Sequence, residues 1–508
     1  MARFLTDSHS AQRRWALLSV CLAALALPLS FSGGAVAVPV LASPLASSPA
    51  SLAWVTNAFM LGFGSLLLAA GGLADRYGRR RLFLLGSGGF ALATMFVCIA
   101  PDLFWLDMAR GLQGVCAAAA LASGSAALAQ AWHGQARARV FALLGTTFGA
   151  GLALGPLLAG VLLEALGWPS VFAAGGVLAL LACTLAARVL PESRGQAGPL
   201  DVSGMLAFSL ALSMLTLALL WLGEFGLHAA RVRWALLATV LLAASFVLIE
   251  RRQPAPLLDL SLFAQRAFVG VQLLPVATCF GYVVLLVVLP LQLLGVHGQS
   301  VATVGVQMLA LSAPMLVLPL LAARWATWLG STRLCVAGLL LCALGLYLLS
   351  RQAAHPLPAQ WIPLLVLIGT GTALPWGLMD GLSVSVVPVQ RAGMAAGIFG
   401  TVRVAGEGIA LAAVTALLAT LICQRLPGAY APALGKAAVY LATGALQSAQ
   451  PLLPGSTALQ LQRASGEALA QLLHVLSALT AGSALLLHVL LRPPPAIAVP
   501  RTDSWWCR

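Results

Sequence analysis

Fourteen apolar stretches, each near the length that crosses a bilayer, occupy most of this chain. They lie near 16–38, 51–73, 82–100, 104–129, 140–163, 170–190, 204–222, 233–250, 268–290, 302–322, 334–350, 361–386, 394–421 and 470–491. A spanning helix needs about 20 apolar residues to cross a hydrocarbon core about 30 Å thick. Lipid offers the backbone no hydrogen bonds, so each stretch must satisfy its own as a helix. The expected fold class is therefore an all-α integral membrane protein with 14 transmembrane helices. Only 8% of residues are charged, against about 25% in soluble domains.

The net charge of +14 raises the question of a nucleic-acid partner, and its distribution answers it. With the N-terminus inside, 20 of the 28 basic residues fall on the cytoplasmic side, 6 outside, and Arg110 and Arg403 within spans. That bias is the positive-inside rule, so the basic charge marks topology and no nucleic-acid partner is expected. The nine cysteines are scattered without ligand spacing, which supports neither a disulfide framework nor a metal site. Arg13, Arg14 and the apolar run after them mimic a signal peptide, but the run exceeds a typical signal core. It reads as an uncleaved first span.

The turn between spans 2 and 3 reads Gly71-Gly72-Leu73-Ala74-Asp75-Arg76-Tyr77-Gly78-Arg79-Arg80-Arg81. Its arginines anchor the hairpin inside, and Asp75 at a helix end can pair with them or cap a neighbouring helix. The turn resembles the signature loop of the major facilitator superfamily. On that resemblance Gly71, Asp75, Arg76, Gly78, Arg79 and Arg80 form a gating loop that latches two helical bundles together on the cytoplasmic side.

Other spans carry further likenesses. In span 4, Arg110-Gly111-Leu112-Gln113-Gly114 resembles the family's Arg-x-x-Gln-Gly motif. Asp107, Arg110 and Gln113, three residues apart, share one helix face, so Asp107 is placed to neutralise Arg110. A charge inside a span is costly enough to imply function. Span 5 contains Gly151-x-x-x-Gly155-Pro156-x-x-Ala159-Gly160, similar to the motif of proton-linked antiporters, with Gly151, Gly155, Pro156 and Gly160 as its members. Small residues at this spacing let helices approach closely. Span 1 departs from the antiporter pattern: Ser30 stands where the relatives carry an Asp, and Ala35 where they carry an Asn.

Asp380 in span 12 and the pair Arg403 and Glu407 in span 13 complete the set of buried charges. At i,i+4 the last two can neutralise each other. Because Ser30 cannot titrate, proton coupling is assigned to Asp107, Arg110, Asp380, Arg403 and Glu407. Ser30, Trp54, Asn57, Phe59, Gln113 and Trp376 are assigned to the substrate cavity. Borders near 199–204 and 250–260 resemble those of the fourteen-span drug/proton antiporters, in which two extra helices link two six-helix bundles. The implied division is 1–195 for the first bundle, 196–260 for the linking helices, 261–492 for the second bundle and 493–508 for a cytoplasmic tail. The run from Arg324 to Arg333 looks like a worn copy of the first loop.

No phosphate-binding loop Gly-x-x-x-x-Gly-Lys-Ser/Thr is present, so energy is expected from an ion gradient. The reading is a proton-coupled secondary transporter that exports drugs or other amphipathic organic compounds by alternating access. The alternative is a proton-linked carrier of an endogenous metabolite on the same scaffold. No enzymatic activity, cofactor or metal is expected. The expected partners are a small-molecule substrate, protons and the lipid bilayer. A periplasmic adaptor and outer-membrane channel extend that set if the chain is not a simple monomer. The expected location is the bacterial inner membrane, with both termini cytoplasmic.

Overall fold

A computed structural model describes residues 2–41, 52, 54–195, 201–226, 229–253, 258, 260–353, 358–387, 392–426 and 431–491. The tail at 493–508 and parts of both linker borders lie outside the described residues. Among the described residues there is no strand. Fourteen helices are long and apolar enough to span a membrane, as the spacing of the apolar stretches predicts. They are α1 (Ala2–Leu41), α2 (Trp54–Tyr77), α3 (Arg79–Cys98), α4 (Leu103–Ala131), α5 (Gly134–Leu166), α6 (Trp168–Val189), α7 (Val202–Phe225) and α8 (Ala230–Arg252). Then follow α9 (Arg266–Val296), α10 (Val301–Leu329), α11 (Ser331–Ser350), α12 (Pro358–Ser385), α13 (Ala392–Cys423) and α14 (Ala458–Leu490).

Packing repeats between the two ends of the chain. In the first six helices, α1 packs on α5 and α6, α4 on α2 and α3, and α3 on α6. In the last six, α9 packs on α13 and α14, α12 on α10 and α11, and α11 on α14. The two sets meet along two matching seams, α5 against α10 and α12, and α13 against α2. This is a major facilitator fold of two six-helix bundles, with α7 and α8 as the linking pair. The worn repeat in the sequence has a counterpart in the backbone: a single glycine at positive φ breaks α2 from α3 (Gly78, φ 113°) and α10 from α11 (Gly330, φ 83°).

The linking pair is tied at its base. Asp201 caps α7 through the Gly204 amide at 2.9 Å and accepts from Gln253 beyond α8 at 3.1 Å. Along its length α7 leans on both α2 and α13, and Ser209 donates to the Ser65 carbonyl of α2 at 2.7 Å. In contrast α8 exposes Trp234, Val240, Leu241 and Leu248, the surface a lipid-facing helix presents.

Two departures from the expected spans have local causes. α14 begins at Ala458 rather than near 470, because Thr457 and Gln460 form a reciprocal capping box there. α9 is not a regular helix. Pro275 and Pro290 lie within it, and each is followed by a π-helical turn, at Cys279–Val283 and Leu291–Val296. Proline removes a backbone donor, and such wide turns recur at functional sites. Between α13 and α14 a short outer helix, Ala431–Ala442, lies over the end of the bundles opposite the α2–α3 turn.

Candidate functional site

The loop after α2 is braced within the first bundle. Asp75 accepts from Arg79 Nε at 2.9 Å and from its terminal nitrogen at 2.7 Å. Arg79 also reaches Gln130 at the end of α4. The chain leaving α6 closes over the turn: Arg79 N donates to Ser193 O at 2.9 Å and Gly195 N to Asp75 O at 3.0 Å. Glu192 accepts from the Arg80 amide at 3.2 Å, and Arg80 reaches the Ala187 carbonyl at 2.6 Å. Gly78 stands at φ 113°, which favours glycine, and a Cβ there would also displace the Glu192 carboxylate, 2.5 Å away. Gly71 has open space beside it, and Arg76 is exposed with its guanidinium 6.0 Å from the Tyr77 ring.

Arg110 is fully buried and acts as a hub in the first bundle. It donates to the Val55 carbonyl at 2.8 Å, to Ser30 Oγ at 3.3 Å and to Gln113 Oε1. Gln113 in turn donates to Thr94 at 2.7 Å. The guanidinium lies over Phe59 at 4.5 Å and Phe172 at 5.2 Å, the geometry of a cation–π contact. Asp107 attracts Arg110 through space but makes no direct ion pair with it. Asp107 is near the start of α4 and forms no ion pair, and its Oδ1 is buried without a hydrogen-bond partner. Arg110 is drawn instead to Ser30 on α1 and Val55 on α2.

The second buried arginine also finds a partner other than the expected one. Arg403 donates to both carboxylate oxygens of Asp380 on α12, each at 3.0 Å. It makes no direct ion pair with Glu407, one turn farther along α13, although the two charges attract. Helical side chains lean toward their own N-terminus, which turns Arg403 toward the start of α13 and the neighbouring end of α12, where Asp380 sits. Glu407 is left buried with Oε1 unpartnered, close to Cys279 at the first π-helical turn of α9. Phe148 on α5 stacks on Arg403 at 4.4 Å, so the ion pair lies on the seam between bundles.

α5 is built for two neighbours. Gly151 and Gly155 face α1: an added Cβ would come within 2.4 Å of the Leu25 carbonyl and 2.9 Å of Gly33 N. Pro156 and Gly160 continue the same helix. Gly145 and Gly149 face α12, where Asp380 and Trp376 press against them, and Trp376 donates to the Gly145 carbonyl at 3.2 Å. The sequence carries this second glycine pair openly, at the same four-residue spacing.

The six residues assigned to one substrate cavity divide three ways. Ser30, Phe59 and Gln113 surround Arg110. Trp376 is buried on the α5 seam. Trp54 and Asn57 line a cavity near the helix ends opposite the α2–α3 turn, walled by α1, α2, α7, α9, α13 and the short helix Ala431–Ala442. On the opposite side of the seam, Leu68, Ala207, Phe268 and Ile398 belong to a closed apolar cluster. The bundles are thus shut at the end that holds Asp380 and Arg403, with a narrow cavity at the other.

The sequence profile described as Major Facilitator Superfamily matches residues 20–409. Multidrug resistance protein Stp of Mycobacterium tuberculosis is 30% identical over 394 residues, covering 77% of this chain and 73% of its own. Puromycin resistance protein pur8 of Streptomyces alboniger is 34% identical, covering 79% and 81%. Multidrug efflux pump LfrA of Mycolicibacterium smegmatis is 28% identical over 90% of this chain and 91% of its own. Among solved structures, the human organic anion transporter MFSD10 superposes with a TM-score of 0.58 at 16% identity, covering 94% of this chain and 99% of its own.

Proposed function

The chain belongs to the major facilitator superfamily, and we propose that it exports drugs or similar amphipathic organic compounds in exchange for protons. The observation that carries export is the match, over three quarters or more of this chain, to relatives named for antibiotic resistance and multidrug efflux. The geometry favours alternating access about the two seams. Bundles 1–195 and 261–492 rock against each other, with 196–260 as the linking pair. The arginine bias supports cytoplasmic termini and a bacterial inner-membrane address.

Coupling needs acids whose surroundings change as the bundles move. The Asp380–Arg403 pair bridges α12 and α13 while packed against α5 of the other bundle, so opening that seam exposes it to water. Glu407 is buried near α9 without a partner for Oε1. Ionised and unpaired there it costs several kcal/mol, and taking up a proton removes that cost. Asp107 is the third group of this kind, also with an unpartnered oxygen. Together they take the place of the acid that Ser30 lacks. Asp75 and Arg79 act through the loop, holding the first bundle rigid where the seam closes.

Efflux from energised inverted vesicles, with a panel of dyes and antibiotics and with and without a protonophore, tests the whole reading. Protonophore-sensitive efflux is expected. Uptake indifferent to the protonophore for every compound refutes coupling. Asp75→Asn is expected to insert normally and slow transport, and unchanged kinetics refute the latch.

A further inference from the structure

We propose that the linking helix α7 forms one wall of the substrate site, and that this site selects uncharged aromatic molecules offering a hydrogen-bond donor to Asn57. The inference rests on the export reading above and narrows its substrate class.

The outer cavity is lined by Trp54 and Asn57 from α2, Leu220 and Trp221 from α7, Thr415 from α13 and Thr443 beyond the outer helix, among others. None of the described residues lining it is ionisable. A cation entering it would lose hydration and meet no compensating charge among them, which is costly in an apolar site. Trp54 on α2 and Trp221 on α7 bring two indole side chains to its lining. Asn57 is only 6% exposed, and its Oδ1 has no hydrogen-bond partner. A buried acceptor left unpaired costs about 1–3 kcal/mol, and a ligand hydroxyl or N–H in the cavity would recover that cost.

The wall contributed by α7 follows from where that helix sits. It leans on α2 of one bundle and α13 of the other, so it spans the seam and closes the cavity laterally. At about 80 Å³ the cavity is small, whereas drug-sized sites run about 300–1,000 Å³. Substrate entry must therefore part α2, α7 and α13. This makes the bulk of Trp221 a determinant of what enters.

The test uses cells expressing the full chain and three fluorescent probes. Daunomycinone is uncharged and hydroxylated, daunorubicin shares its chromophore but carries an ammonium group, and ethidium is a permanent cation. Wild type is expected to export daunomycinone with the lowest KM. Trp221→Ala and Asn57→Leu are each expected to raise that KM roughly five- to tenfold, with maximal rate little changed, while Trp221→Phe stays near wild type. If Trp221→Ala fails to reach the membrane, Leu220→Trp, which crowds the same wall, is expected to raise KM likewise. Wild-type KM in these variants, or a wild-type preference for ethidium, overturns the inference and leaves export standing. If wild type moves none of the three while the dye and antibiotic panel shows export, only the substrate class falls; if the panel is also negative, both readings fall.

Discussion

Replacing Asp380 by Asn removes one charge and almost no volume from the seam. In the structure, Asp380 and Arg403 side chains are 9% and 5% exposed, and both carboxylate oxygens accept from the guanidinium at 3.0 Å. Removing one partner of a buried pair costs about 3–5 kcal/mol, because the remaining charge is left uncompensated. That cost applies where the seam is shut and falls when the bundles part and Arg403 meets water. Asp380→Asn therefore biases the protein away from the closed seam by up to that amount. At about 1.4 kcal/mol per decade, the shift is roughly 140- to 3,700-fold in the conformational equilibrium. Spin labels at Arg139 on α5 and Ser385 at the end of α12, both exposed, read the separation by pulsed electron paramagnetic resonance. A new long-distance population is expected in Asp380→Asn. The double variant Asp380→Asn/Arg403→Gln should largely restore the short distance, since removing both charges of a pair is far milder than removing one. An unchanged distance distribution in the single variant refutes the claim that this pair closes the seam.

Other positions yield sharper contrasts. Gly151→Leu should lower thermal stability in detergent markedly, because even its Cβ would lie 2.4 Å from the Leu25 carbonyl, whereas Gly71→Ala, with open space beside it, should melt like wild type. Gly78→Ala combines a positive φ of 113° with a contact at 2.5 Å to Glu192; a loss of about 1–3 kcal/mol is expected, and a scanning-calorimetry midpoint equal to wild type would contradict it. Glu407→Gln and Asp107→Asn should each weaken substrate-driven proton movement in a vesicle flux assay, and full coupling in both removes those residues from the proposal.

Much of this molecule follows from local pattern alone. Span count follows from the length of the apolar stretches, because lipid thickness acts on each segment separately. The glycines of α5 are legible for the same reason: a four-residue spacing puts them on one face whatever the partner. Which acid meets Arg403 is not local. Spacing on one helix nominates Glu407, but Asp380, 23 residues away in sequence, takes the bond because side-chain lean and the approach of α12 bring its carboxylate within reach. Arg110 likewise spends its hydrogen bonds on Ser30 and Val55, which arrive from other helices, and keeps only a longer-range attraction to Asp107. The place of Trp221 in the cavity wall is likewise tertiary. Nothing in the apolar run of α7 distinguishes a lipid-facing tryptophan from one turned onto a seam, and only the packing of α7 against α2 and α13 decides between them.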